Sequence, residues 1–328
     1  MLDTKPVSAK SLGDYFRING KLLEEQYRDH LSNFHEWDQL EHSCDWVLFP
    51  DNIGAYISID ETSLTDGELY TVITNKEAKC KKGALIAMIK GTNSNHARGI
   101  LEKIPIKKRK MVREITLDMA PAMELISKYT FPEATLVTDR FHVQKLAYDA
   151  VQELRIKHRW EAIEQENNEI ALAKEIQKKH IPEILENGDT LKQLLARSRY
   201  LLFKSESKWT PTQRQRAELL FARYPDIEEA YNLSRDLGKI YHTTNDKGVA
   251  YTRLAKWYDK VEKAGFKTVN ILAKSILEHY STILNFFDNR STNASAESFN
   301  AKIKAFRALF RGVRNVSFFL FRLSNIYA

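Results

Sequence analysis

The sequence predicts a mixed α/β fold whose strands are confined to one part of the chain. Runs that alternate apolar and polar residues, rich in β-branched and aromatic side chains, recur between residues 56 and 139. From about 143 to 290 they give way to long amphipathic stretches with helical spacing and no strand signal. The last stretch, 291–328, is again helical in pattern. A chain of 328 residues is long enough for two domains, or for one domain carrying a large insertion.

Residues 1–52 read as an N-terminal helical or linker segment, with Ser11 as a possible cap and Leu22, Leu23, Tyr27 and Leu31 on one helical face. The first strand is YISIDE, Tyr56–Glu61, which follows a turn signal at Asn52 and Gly54 and sets Asp60 at or near its end. ELYTVITN (68–75) and ALIAMIKG (84–91) continue as strands. The turn signal Asp66-Gly67 and the Lys-rich connection ending at Gly83 make the three an antiparallel meander. NSNHARGILEKIP (93–105) is a short helix that Pro105 helps to stop, and KMVREITLD (110–118) is the fourth strand. Pro121–Tyr129 is a helix with proline in its first turn, where a missing N–H costs little, and ATLVTD (134–139) is the fifth strand. Six to eight helices follow over 144–290, broken at Pro182, Gly188, Pro211, Pro225, Gly238, Gly248 and Gly265, without a fixed repeat. In the closing segment Ser291, Thr292 or Asn293 can cap a helix that carries Glu297.

Lys and Arg number 50 against 43 Asp and Glu, a net charge of +7, which favours a polyanionic partner through counterion release. The two cysteines, Cys44 and Cys80, have no metal-ligand spacing, and so few in a chain this long fits a reducing compartment. No apolar run reaches transmembrane length and the N-terminus lacks a signal-peptide pattern, so a cytoplasmic protein with no membrane partner is expected.

Asp60, Asp118 and Asp139 stand at the ends of expected strands, and Glu297 begins the last helix. A crossover returns the chain beside the first strand, so strands one and four are expected neighbours, with Asp60 and Asp118 side by side. Converging carboxylates suit Mg²⁺ or Mn²⁺, because hard cations prefer oxygen ligands. Two such ions, about 3.5–4 Å apart, activate the nucleophile and stabilise the leaving oxygen in an in-line displacement at phosphorus.

These residues carry a resemblance. SIDET around Asp60, LDMAPAMELISKYTFPEATLVTDRFHV, and NASAESFNAKIKAFR resemble the DDE transposases of bacterial insertion sequences, in the group with a helical insertion before the final Glu. The ISL-type branch, including forms found in Bacteroidetes, is the most similar, and the resemblance covers about 56–328. It implies an RNase H-like core, 53–143 with 291–328, interrupted by an all-helical insertion, 144–290. It implies Asp60, Asp118 and Glu297 as catalytic acids that hold two Mg²⁺ or Mn²⁺ ions. Asp139 competes with Asp118 for the second place. The RNase H-like strand order favours Asp118. Asp139 and His142 match a [Cys/Asp]-x-x-His element that follows the second acid in related groups, and they also suit a structural pair tying strand five to the next helix.

On the last helix Glu297, Asn300 and Lys304 share one face. They read either as a metal ligand, an orienting hydrogen-bonder and a phosphate contact, or as a solvated polar face. Lys302, Lys304, Arg307, Arg311, Arg314 and Arg322 alternate with Phe and Leu, which suits a phosphate backbone and equally a plain amphipathic helix. Arg197, Arg199, Lys204, Lys208, Arg214 and Arg216 form a basic cluster in the insertion, beside Trp209. Some relatives stack a tryptophan there on a flipped base; packing is the plainer role. The expected partner is double-stranded DNA, as element ends and target, engaged by a homodimer or larger assembly near the nucleoid. Residues 1–52 are too short for a DNA-reading domain with its own core, so a companion DNA-binding protein is a further expectation. A nuclease or junction resolvase without strand transfer, and a non-catalytic DNA-binding remnant of a mobile element, are the alternatives.

Overall fold

The structure, a computed structural model, describes the chain apart from Thr65, Asp66, Phe266 and Arg311, with 267–270 described by their backbone alone. It divides into two compact units, Met1–Asp139 with Asn289–Ala328, and Arg140–Asp288.

The first unit opens with α1 (Ala9–Phe16) and α2 (Gly20–Gln26). The expected single helix is two, because Arg17 takes a left-handed conformation (φ 58°) and Asn19 starts the chain again by accepting the Lys21 and Leu22 N–H groups. Ser8, not Ser11, caps α1: the Ser11 N–H donates to its hydroxyl. A short π-helical stretch, Tyr27–Leu31, follows α2. A strand absent from the sequence reading, β1 (Trp46–Leu48), precedes β2 (Tyr56–Ser63), β3 (Leu69–Asn75) and β4 (Leu85–Lys90). The expected meander forms: β2 with β3 and β3 with β4 are antiparallel. Its first turn includes Asp66, outside the described residues, and Gly67 at φ 87°, a backbone that glycine adopts without strain. Then come α3 (Ser94–Leu101), α4 (Ile106–Arg109), β5 (Glu114–Leu117), α5 (Pro121–Thr130) and β6 (Thr135–Thr138). β5 is shorter than expected at its start, because Lys110–Val112 continue the turn that follows α4, with the Met111 and Val112 N–H groups donating to the Lys108 and Arg109 carbonyls.

One six-stranded sheet results, in the order β1-β4-β3-β2-β5-β6, with β2, β5 and β6 parallel. Ile57, Ile59, Ile115, Leu117 and Leu136 point to the face covered by α3 and α5, in a core with Ile100, Met123 and Ile126. The alternate residues point to the other face, because successive side chains of a strand oppose one another.

Among the described residues the second unit is helical: α6 (Arg140–Glu175), α7 (Leu191–Arg197), α8 (Pro211–Arg223), α9 (Pro225–Thr243), α10 (Lys247–Ala264), α11 (Lys267–Glu278), α12 (Tyr280–Leu284) and α13 (Phe286–Asn289). The two amphipathic stretches expected at its start are one continuous helix of 36 residues. Several members of its basic cluster have local partners. Arg197 and Arg216 clamp the buried Asp189, Arg214 donates to the Glu206 carbonyl, and Lys204 reaches Gln213. No described helix is long and apolar enough to cross a membrane.

The chain returns to the first unit through Arg290, again left-handed at φ 53°, and enters α14 (Ala294–Leu309) and α15 (Val316–Tyr327). Phe299, Ile303 and Phe306 of α14 and Phe319, Leu320 and Leu323 of α15 bury against Val47, Tyr70, Val72 and Met88 on the second sheet face. Full burial stabilises by about 1.5–3 kcal/mol for each large side chain, which fixes α14 on that face.

Candidate active site

Strand register builds the site. β2 pairs with β5 at an offset of 58 residues, as in Ser58↔Thr116, and β5 pairs with β6 at an offset of 21, as in Leu117↔Thr138. Continued by one or two residues, the same offsets align Asp60, Asp118 and Asp139 at one level across three neighbouring parallel strands. Neighbouring strands lie about 4.8 Å apart, so the three form a short carboxylate row. All three share strand parity with the α14 face. Asp60 is not at the end of β2, which stays paired with β3 as far as Ser63↔Leu69; it lies just past the end of the pairing with β5.

Helix α14 crosses over this row. At its start, the Asn293 N–H donates to Asp139 Oδ1 at 3.1 Å. Two turns later, Asn300 Nδ2 donates to Asp60 Oδ2 at 2.8 Å and to the Glu61 carbonyl at 3.2 Å. Seven residues of helix rise about 10.5 Å, close to the roughly 9.6 Å of two strand spacings. Asn293 and Asn300 therefore pin the helix above the outer members of the row. Glu297 lies between them, about 40° and 60° around the helix axis from each, toward solvent. It is exposed, whereas Asp60 and Asp118 are half-buried and Asp139 is 1% exposed.

The local bonds orient each acid. Asp60 Oδ1 accepts the Glu61 N–H and Asp118 Oδ1 accepts the Ala120 N–H. Among the described residues, the other Asp118 oxygen and the Glu297 carboxylate have no protein hydrogen-bond partner. Those oxygens fit a cation-binding role, and a row of three carboxylates is a hard-donor set. No three His, Cys, Asp or Glu side chains among the described residues are already gathered tightly enough to enclose an ion. Two carboxylates about 5 Å apart repel by up to roughly 3 kcal/mol at an effective dielectric of 20.

Two further acidic side chains lie near the row: Glu114 on the same sheet face, and Glu61 next to Asp60 with the parity of the opposite face. Glu61 is held above the usual carboxyl range by burial, and then by Asp118 and Asp60. Glu114 is buried, 3% exposed, and is bound by Lys76 Nζ at 3.4 Å and by Asn289 Nδ2 at 3.2 Å. Lys76 also donates to Thr116 at 2.8 Å; burial holds its ammonium below the ordinary lysine range, against the opposing pull of Glu114 and Asp139. For Glu114 the signal in the sequence is parity: residues 58, 60, 62, 114, 116 and 118 are polar while 57, 59, 115 and 117 are apolar; Glu61 falls outside that pattern.

Several residues expected to contact DNA have local partners. Lys302 donates to the Cys80 carbonyl at 2.7 Å and lies over the Tyr327 ring. Arg307 donates to the Ser63 carbonyl at 3.3 Å. Arg322 is 1% exposed, bonded to the Lys5 and Val7 carbonyls and set over Tyr27 and Phe306, so it is a core cation. Trp209 donates its indole N–H to the Leu201 carbonyl at 2.9 Å and packs on Phe221 and Tyr231, which accounts for its place beside α8. Lys304 is exposed, and Arg311 lies outside the described residues. His142 sits in the first turn of α6, with its ring edge-on to Phe141.

Comparison with known proteins gives the family. A family model described as "Transposase", of the ISL3 type of DDE enzymes, matches residues 57–323. A transposase for insertion sequence element IS1001 from Bordetella parapertussis is 21% identical over 272 residues, which is 82% of this chain and 60% of that protein. The chain thus spans about three fifths of the length of this curated relative. No solved structure matches the chain. The family match takes in the whole carboxylate row and Glu297, and the chain belongs to the ISL3-type DDE transposase family.

Proposed function

We propose that this protein is a DNA transposase that cleaves at insertion-sequence ends and joins the freed 3′-OH to target DNA. The observation that carries this reading is the aligned row of Asp60, Asp118 and Asp139 beneath the helix bearing Glu297. The strand order, three antiparallel strands followed by two parallel ones beside the first, supports an RNase H-like core, with Arg140–Asp288 as its helical insertion.

In this reading Asp60, Asp118 and Glu297 hold two Mg²⁺ or Mn²⁺ ions. When bound, such ions supply Lewis-acid activation of the attacking oxygen and charge neutralisation at the leaving oxygen. Asn300 fixes the Asp60 carboxylate. Lys76, paired with Glu114, sets a half-buried cation on the same sheet face and eases the repulsion within the row. Partial exposure and an oxygen without a protein partner favour Asp118 as the second acid. Asp139, buried and bound to the start of α14, suits the anchor that brings Glu297 over the row. Lys304 is the exposed cation of α14 best placed for a DNA phosphate. Synapsis of two element ends calls for a dimer or larger assembly, working near the nucleoid with or without a companion DNA-binding protein.

The test is incubation of the protein with Mg²⁺, labelled element ends and target DNA. Joined products are expected. Cleavage without joining would move the reading to a nuclease or resolvase, and binding alone to a non-catalytic remnant.

A further inference from the structure

Asn293 occupies the N-cap position of α14, where an asparagine ordinarily accepts an N–H of the first turn through its side chain. Here it makes no such bond. Its side chain is 0% exposed, and neither the amide nitrogen nor the amide oxygen has a hydrogen-bond partner among the described residues. Buried polar groups are paired as a rule, so a fully buried amide with both ends unmatched needs a reason.

Its surroundings supply one. The backbone N–H of Asn293 is bound to Asp139, at the outer end of the carboxylate row, and Glu297 follows one turn later. Other buried polar atoms without partners share this seam. Ser58 and Thr62 flank Asp60 on its own strand face, Thr74 lies opposite Ser58 on β3, and the Asn300 side-chain oxygen is two helical turns along α14. Unmatched polarity therefore gathers between α14 and the sheet face that bears the acids.

We propose that Asn293 is a ligand-side residue of the ion site, its neutral amide oxygen adding to the carboxylates around the cation that Asp118 holds. A carboxamide oxygen is an ordinary ligand for hard divalent cations. The inference rests on the two-ion reading above. It differs from a capping or packing role in one respect: the amide oxygen is matched only when the cation is present.

The experiment measures Mn²⁺ binding by titration calorimetry and paramagnetic resonance, with thermal melts in the presence and absence of Mg²⁺. The full chain is compared with Asn293→Ala, Asn293→Asp and Asp118→Asn. Asn293→Ala should melt at or above the wild-type temperature without metal, since it removes an unmatched buried amide. It should also bind Mn²⁺ about tenfold more weakly and gain less from Mg²⁺. Asn293→Asp should do the opposite, melting lower without metal and binding Mn²⁺ more tightly. The Asp variant is nearly isosteric and keeps the test open if the alanine variant does not fold. Asn293→Ala that melts lower without metal but binds Mn²⁺ like wild type would overturn the inference alone, provided Asp118→Asn loses Mn²⁺. Unchanged Mn²⁺ binding by Asp118→Asn would overturn the ion reading, and this inference with it.

Discussion

Asn300 is the most informative side chain to remove, because one amide ties the helix that carries Glu297 to the strand that carries Asp60. It is 7% exposed and donates to Asp60 Oδ2 and to the Glu61 carbonyl. A hydrogen bond to a charged group contributes about 1.5–3 kcal/mol and one to a neutral carbonyl about 0.5–1.5 kcal/mol. Asp60 is half-buried, so water can take over part of the lost bonding. Asn300→Ala should therefore cost about 2 kcal/mol, near the low end of the sum. For a unit of this size that lowers the melting temperature by about 4–8 °C. The larger effect should be catalytic, because Asn300 fixes the Asp60 carboxylate that the proposed ion site uses. Loss of such an orienting group typically costs about 10–100-fold in metal affinity or activity. The assay pairs a metal-free melt with Mg²⁺-dependent cleavage of labelled element ends at a temperature where the variant is folded. Wild-type melting together with wild-type cleavage would show that the pin between α14 and β2 has no role in the site.

Asp118→Asn should abolish cleavage with the fold intact. Asp139→Asn should keep measurable cleavage, since a carboxamide oxygen still accepts the Asn293 N–H; the reverse ranking, read from single-turnover rates, would make Asp139 the second acid. In the helical unit, burial alone would push the Asp189 carboxyl up, but hydrogen bonds from Arg216 and Arg197 outweigh it and hold the carboxyl below its ordinary 3.8. Its stabilisation is then complete above about 3.8 and lost as the pH falls through the lower folded value, so Asp189→Asn should flatten the acid limb of a melting-temperature profile. An unchanged acid limb would remove the clamp from the account. Arg322→Met should lower the melting temperature while leaving DNA binding per folded molecule unchanged. Lys304→Gln should leave melting unchanged and reduce the salt slope of DNA binding by about 1.

Much of the strand framework was legible because two rules acted together. Apolar residues at 57, 59, 115 and 117 mark the face under α3 and α5, and the crossover rule sets β5 beside β2. From these, Asp60 beside Asp118 follows. What escaped depends on contacts distant in sequence. β1 is three residues long, and only its pairing with β4 makes it a strand. The break between α1 and α2 rests on a left-handed Arg17, a conformation that arginine does not announce. Lys302, Lys304 and Arg322 look alike in a basic, aromatic-rich sequence. Burial separates them, turning Arg322 into a core cation over two rings and leaving Lys304 in solvent. Asn293 reads as a cap in the sequence, and only its buried, unmatched amide sets it apart.

The proposed activity turns on where divalent cations sit. Replacing Mg²⁺ by Fe²⁺ and adding ascorbate generates hydroxyl radicals at the bound ion, which cut the nearby backbone. Mapping the fragments of the DNA-bound protein should give cuts clustered around residues 60, 118 and 297, suppressed by excess Mg²⁺ and absent from Asp118→Asn. Cuts spread evenly, or clustered away from all three acids, would contradict the central claim.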